Sequence, residues 1–209
     1  MADVAAAGTP RPRMRRAAAV LLHGRGADAE DMLALSQKFG QQDIMYRAPQ
    51  APGHSWYPYS FLAPLEQNEP HLSDALAIVG AELAQLAREG FAPERVALIG
   101  FSQGGCLTLE YVARNAKRFG AVAGLSAGLI GPPGTPRDYA GSLAGTPVFL
   151  GCSDIDSHVP LWRVQESRDV LTRLGAGVTE RIYPGMGHTV NADEIAHVSR
   201  LLAGIAAMP

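Results

Sequence analysis

Short apolar runs alternate along this chain with longer segments whose apolar residues recur every three or four positions. The runs Ala17–Leu22, Val96–Ile99, Ala121–Leu125, Val148–Leu150 and Val178–Ile182 are brief, partly β-branched and bounded by Gly or Pro. Such runs predict parallel strands buried on both faces. Leu72–Arg88 carries apolar residues at 72, 76, 79, 83 and 86 and is closed by Gly90, which predicts a helix. Leu107–Phe119, Leu161–Leu174 and Glu194–Ile205 read the same way. Strands joined by helical crossovers of this length predict an α/β fold of three layers, with a mostly parallel central sheet between helices.

One stretch breaks the rhythm. Ala48–Pro70 holds five prolines and the aromatics Trp56, Tyr57, Tyr59 and Phe61, with no steady period. A long loop carrying large apolar side chains is expected to serve as a lid or pocket wall.

Composition narrows the options. With 209 residues, 47% of them hydrophobic, the chain holds enough apolar material for one core, so a single domain over 15–209 is expected behind a flexible N-terminus at 1–14. Eighteen Lys+Arg against 20 Asp+Glu leave a net charge of −2, which argues against a nucleic-acid partner. The basic residues cluster only at Arg11, Arg13, Arg15 and Arg16, in a Pro/Ala-rich end expected to fray. Arg15-Arg16 before an apolar run resembles an export signal, but the run stops after six residues at His23-Gly24-Arg25. No stretch is long enough for a membrane span, and Cys106 and Cys152 are too few for a disulfide framework. A cytoplasmic protein without stable membrane insertion is expected, and a homodimer is compatible with the sequence.

The chemistry gathers at Gly100-Phe101-Ser102-Gln103-Gly104, which runs from a predicted strand toward a predicted helix. In this Gly-x-Ser-x-Gly setting a serine sits on a sharp strand-to-helix turn, its hydroxyl at the carboxyl edge of the sheet. The pattern recurs at Gly124-Leu125-Ser126-Ala127-Gly128, but there the chain continues into Leu-Ile-Gly-Pro-Pro-Gly, which cannot form the required helix. Context selects Ser102 as the nucleophile.

A serine needs a base, and the base a carboxylate, in chain order Ser, Asp, His after later strands. Of six histidines, His188 alone ends a glycine-flanked loop, Tyr183-Pro184-Gly185-Met186-Gly187, after the last predicted strand. His23, His54 and His71 precede the serine, and His197 lies on the last predicted helix. The carboxylate falls in Asp154-Ile155-Asp156-Ser157-His158-Val159-Pro160, where both aspartates are open to the role. Asp154, Asp156 and His158 alternate and could share a face toward a metal, but no distant ligands accompany them, so neither metal nor other cofactor is expected. Leu22-His23-Gly24-Arg25-Gly26, after the first predicted strand, can lend an oxyanion-binding N–H, with Arg25 the candidate. Its Gly-x-Gly is not a phosphate loop, since no GxxxxGK[ST] is present and GxGxxG is incomplete.

Together with Ala48-Pro49 and Ser55-Trp56-Tyr57, these segments occur in the order seen in the phospholipase/carboxylesterase family of small α/β-hydrolases, which the chain resembles from about Ala17 onward. Gly100-Phe101-Ser102-Gln103-Gly104-Gly105 is the most specific part. The resemblance implies an α/β-hydrolase fold, Ser102, Asp156 and His188 as the triad, and the N–H groups of Arg25 and Gln103 as the oxyanion hole. It implies a carboxylesterase acting on a small-molecule ester, or, with the same machinery, an acyl-protein thioesterase or lysophospholipase. A hydrolase-fold protein that only binds a ligand is the rival reading. The chain departs from the family where Ser157 replaces the usual Pro of Asp-Pro-x-Val-Pro and Pro58 the usual Asp, and its start looks short for the first strands of a full hydrolase sheet. Its length leaves no room for a large cap domain, so Trp56, Tyr57, Phe61 and Leu62 are expected to wall a short pocket favouring acyl chains of about C2–C8.

Overall fold

A computed structural model describes residues 15–208, so the segment expected to be flexible lies outside the described residues. Six strands form one sheet in the order β2-β1-β3-β4-β5-β6, with every neighbouring pair parallel. They are β1 (Ala17–Leu22), β2 (Ile44–Arg47), β3 (Val96–Phe101), β4 (Ala121–Leu125), β5 (Pro147–Ser153) and β6 (Gly177–Tyr183). The expectation of a mostly parallel sheet is thus met by a fully parallel one. Among the described residues six α-helices accompany it: α1 (Ala29–Gln37), α2 (Leu65–Asn68), α3 (His71–Arg88), α4 (Gln103–Arg114), α5 (Leu161–Arg173) and α6 (Ala192–Ala206).

The inner strands are apolar on both faces because each face meets a helix layer. Along β1, Ala18, Val20 and Leu22 belong to one core that also holds Val79 of α3, Val112 of α4 and Val164 of α5. The alternate residues Ala17, Ala19 and Leu21 belong to a second core, with Met32 of α1 and Val198 and Leu202 of α6. A period of two therefore divides the strand between two cores, which is the three-layer arrangement expected. Among the described residues no helix is long and apolar enough to cross a membrane.

Two elements escape the apolar pattern. β2 is a four-residue edge strand of which only Ile44 is buried, and its Arg47 pairs with Glu82 of α3 and with Glu89, which caps that helix. α1 begins with a capping box in which Asp28 accepts from the Asp31 N–H and Asp31 from the Asp28 N–H, a sequence-readable signal beside a weakly apolar face. The helix expected over Leu107–Phe119 starts earlier, at Gln103, and stops at Arg114. Gly104 and Gly105 lower helix propensity but let the first turn of α4 lie directly on the sheet.

Candidate active site

The end of β3 sets the geometry. Ser102 has φ 54° and ψ −121°, a backbone conformation that a non-glycine residue holds only at a cost. Its N–H donates to the Leu125 carbonyl of β4 at 2.9 Å, and its own carbonyl accepts from the Cys106 N–H at 2.9 Å. A side chain at Gly100 would strike the backbone of Gly104, and one at Gly104 would strike the Leu22 and His23 carbonyls. Only glycine therefore lets strand, turn and helix come this close. Gln103, first residue of α4, has no intrahelical acceptor for its N–H, which lies at the positive end of the helix.

Ser102 Oγ lies 2.8 Å from Nε2 of His188, and Nδ1 of His188 lies 2.7 Å from Oδ2 of Asp156. The network assigns the imidazole proton to Nδ1, donating to the carboxylate, which leaves Nε2 to accept from the serine hydroxyl. The second carboxylate oxygen of Asp156 accepts from the His158 N–H at 2.8 Å and the Val159 N–H at 3.0 Å. Burial works against this charge, but His188 and the two N–H groups outweigh it and hold the carboxyl below its ordinary value. Asp154 faces elsewhere, its Oδ1 accepting from the Gly185 N–H at 2.8 Å, while Gly187 donates to Ser153 Oγ at 3.1 Å. The loop after β5 thus holds the loop that presents His188. The alternating Asp154, Asp156 and His158 do not share a face, and among the described residues no group of three His, Cys, Asp or Glu side chains is placed to hold a metal.

His23 and His197 are held structurally. His23 is buried, accepts the Ala51 N–H at Nε2 and packs on Trp56 at 5.0 Å. His197 stacks on Phe149 at 4.6 Å. Cys106 borders the cleft beside Ser102, but burial pushes its thiol up to about 12, so it offers no thiolate.

A cleft of about 600 Å³ opens over Ser102 and His188, walled by Tyr57, Pro58, Tyr59, Ser60 and Phe61 on one side and His158 and Val159 on another. Two of the four expected wall residues are corrected. Trp56 turns inward, donating from Nε1 to the His23 carbonyl at 2.8 Å, and borders a separate cavity of about 210 Å³ near His71 and Asp74. An indole N–H in a buried setting needs an acceptor, and the carbonyl just past β1 supplies it. Leu62 does not line the cleft; it is half-buried and packs against the core, which takes part of its apolar side chain out of water. His158, which the sequence pattern raised only as a metal candidate, instead lines the cleft with its ring 4.6 Å from that of His188.

Comparison with known proteins agrees with this architecture. The chain is 43% identical to the solved phospholipase/carboxylesterase of Dyadobacter fermentans, with a TM-score of 0.87 over 94% of each chain. It is 33% identical over 119 residues to acyl-protein thioesterase 1 of Gibberella zeae, covering 54% of this chain and 49% of that protein. It is 27% identical over 149 residues to carboxylesterase SOBER1 of Arabidopsis thaliana, covering 69% of this chain and 64% of that protein. The chain thus spans about half the length of the fungal relative and under two thirds of the plant one. The Phospholipase/Carboxylesterase family model matches residues 9–205, and on that match, over a six-stranded parallel sheet, the chain belongs to the phospholipase/carboxylesterase family of α/β-hydrolases.

Proposed function

We propose that this protein hydrolyses carboxylic esters through an acyl-enzyme, with Ser102 as nucleophile, His188 as general base and then acid, and Asp156 as the group that orients the imidazole. The observation carrying this reading is the pair of short hydrogen bonds from Ser102 Oγ to His188 Nε2 and from His188 Nδ1 to Asp156, mounted on a strand–turn–helix elbow. Ser102 Oγ attacks the ester carbonyl carbon as its proton passes to His188 Nε2. The oxygen that becomes anionic is stabilised by the N–H groups of Arg25 and Gln103, which need not reorganise during the reaction. Collapse of the tetrahedral species expels the alcohol, which takes the proton from His188, and water, activated by the same imidazole, then releases the acid and restores Ser102.

Short- to medium-chain acyl groups suit the cleft best. Tyr57 and Phe61 are only 1% and 8% exposed, so most of their apolar surface already lies against the core. Tyr59, 56% exposed in the same wall, offers apolar area for a short extension of the tail, and each CH₂ beyond it would return well under about 0.8 kcal/mol. Thioesters react through the same groups, and the likeness to a thioesterase keeps acyl thioesters as a second substrate class. A fluorophosphonate probe should label Ser102 in the folded protein; no adduct would make this a ligand-binding member of its fold. A series of p-nitrophenyl esters and matching thioesters should give kcat/KM peaking at short to medium chains; a steady rise to palmitoyl substrates would shift the assignment to a long-chain thioesterase.

A further inference from the structure

Arg25 and Gln103, proposed above for their backbone N–H groups, send their side chains to the same short segment. The guanidinium of Arg25 reaches four acceptors on residues 55–59: Nη1 donates to Ser55 Oγ at 3.0 Å and the Pro58 carbonyl at 2.8 Å, and Nη2 to the Tyr57 and Tyr59 carbonyls at 2.9 and 2.7 Å. The Gln103 amide accepts from the Trp56 N–H at 3.0 Å and donates to the Tyr57 carbonyl at 2.7 Å. The backbone that Arg25 belongs to passes close to Ser102, since a side chain at Gly24 would meet Ser102 Cβ at 3.3 Å.

Arg25 is therefore unlike a hook for a charged substrate, because both terminal nitrogens are already engaged with the protein. Three carbonyls converging on one cation describe a segment curled around a guanidinium. A planar fork with five donors can serve four acceptors at once, whereas the three donors of an ammonium on a longer flexible stem cannot reach the same set. Other tethers fix neighbouring groups: Asn68 accepts the Tyr59 N–H, and Gly131 donates to the Phe61 carbonyl. The carbonyls of Pro58 and Tyr59, in the part of the wall that faces the cleft, are tied to the Gly24–Gly26 turn by Arg25.

We propose that Arg25 is a positioning residue and a determinant of acyl selectivity: its guanidinium joins the Tyr57–Tyr59 wall to the turn that carries an oxyanion donor, so that the wall and the donor keep one fixed geometry. The inference rests on Ser102 acting as the nucleophile of an ester hydrolase. A substrate whose acyl group fills the wall then has its carbonyl delivered to donors set at the matching distance, while an acetyl group, which does not reach the wall, gains nothing from the link. Displacing reacting groups by about 1 Å costs on the order of 100-fold in rate.

The test compares wild type, R25K, R25M and S102A on p-nitrophenyl acetate, butyrate and hexanoate, with kcat and KM taken separately and folding followed by circular dichroism. In R25M, kcat/KM for the favoured longer ester should fall about 10- to 100-fold. The loss should lie mainly in kcat, and the ratio of that ester to acetate should shrink toward one. R25K should lie between R25M and wild type. The ratio of two esters on one preparation does not depend on how much of it is folded, so a merely structural role would lower both rates and leave the ratio unchanged. An unchanged ratio in R25M overturns the proposal, and where R25M does not fold, an unchanged ratio in R25K does so. If S102A remains as active as wild type, the reading of the site fails and this inference with it; if S102A is inactive and the ratio does not move, only the role of Arg25 fails.

Discussion

β3 and β4 lie side by side, and each ends in Gly-x-Ser-x-Gly. Both serines have a positive φ, 54° at Ser102 and 46° at Ser126. Each hooks its N–H to the next strand, Ser102 to the Leu125 carbonyl at 2.9 Å and Ser126 to the Gly151 carbonyl at 2.7 Å. The two backbones are thus alike where they leave the sheet, and they part in the residues just beyond. After Ser102 the chain enters α4, leaving first-turn N–H groups without intrahelical partners. Beyond Ser126 the N–H groups of Leu129 and Ile130 are already taken, by Ser167 Oγ at 2.8 Å and the Glu110 carboxylate at 3.1 Å. Ser102 Oγ meets an imidazole, while Ser126 Oγ is fully buried with no hydrogen-bond partner among the described residues. A strained serine at a strand end is therefore a backbone feature. Chemistry requires the open helix terminus and the base as well.

The sharpest break of this comparison is substitution of both serines. Ser102→Ala should lower kcat by about 10⁶ while the protein stays folded, by analogy with serine hydrolases whose nucleophile has been removed. Ser126→Ala should leave kcat within a small factor and, by removing an unpaired buried hydroxyl, leave stability equal or up to about 1 kcal/mol higher. Comparable losses from the two would show that the elbow's shape, and not its surroundings, carries the activity.

The aspartates allow a second contrast of the same kind. Asp156→Asn places an amide where His188 Nδ1–H needs an acceptor and should cost roughly 10⁴ in kcat by favouring the wrong tautomer. Asp154→Asn loses only part of one hydrogen bond to the Gly185 N–H and should cost far less. The reverse ranking, read from steady-state kinetics of the two variants, would move the orienting role to Asp154.

That Ser102 and His188 meet is legible in the sequence because their settings obey local rules: an apolar run, a glycine-framed serine and a helix in one case, a glycine-rich loop after the last strand in the other. Choosing Asp156 over Asp154 needed either the family resemblance or the structure, since two aspartates in one loop differ only in which backbone N–H groups they meet. β2 and α1 were missed because their stability comes from an edge pairing and a capping box, which leave a faint hydrophobic pattern. Trp56 and Leu62 were misplaced for a related reason. In a proline-rich loop the aromatic positions have no period to tell inward from outward, and the indole went where an acceptor was available. The side-chain role of Arg25 had no sequence signal, because its partners are main-chain carbonyls that any sequence carries.

The framing glycines of the two turns differ in the room around them. A Cβ at Gly100 would collide with backbone atoms of Gly104 and Gly105, which cannot move without dislodging α4. A Cβ at Gly124 would meet the Leu109 side chain at 3.0–3.1 Å, and a side chain can shift by a few tenths of an ångström. Urea unfolding should therefore show a loss of about 3 kcal/mol or more for Gly100→Ala and about 1 kcal/mol for Gly124→Ala. Equal losses would mean that the two turns are equally tight and that α4 is not what demands glycine at the first.

Each turn also has a buried carboxyl nearby, and the two are tuned in opposite directions. Asp156, tied through His188 to Ser102, is held low by its hydrogen bonds. Glu194 at the start of α6 packs against Gly151, whose carbonyl receives the Ser126 N–H, and burial raises its pKa to about 7 even though it accepts the Asn191 N–H. A carboxyl raised in the folded state binds its proton there while the unfolded chain has already lost it. Stability from this group is therefore full below about pH 4.5 and is lost progressively as pH rises to about 7. Asp156 acts with the opposite sign, its contribution present above the ordinary aspartate range and lost as pH falls through its lowered value. Glu194→Gln keeps an acceptor for the Asn191 N–H but cannot ionise. Between pH 5 and pH 8 the wild type should lose stability relative to this variant by about 2–3 kcal/mol, as measured by urea unfolding at each pH. The acid-side loss should be the same in both proteins, since Asp156 is untouched. Parallel curves for wild type and variant across that range would mean that Glu194 is already ionised in the folded protein, and that the two carboxyls are not tuned apart.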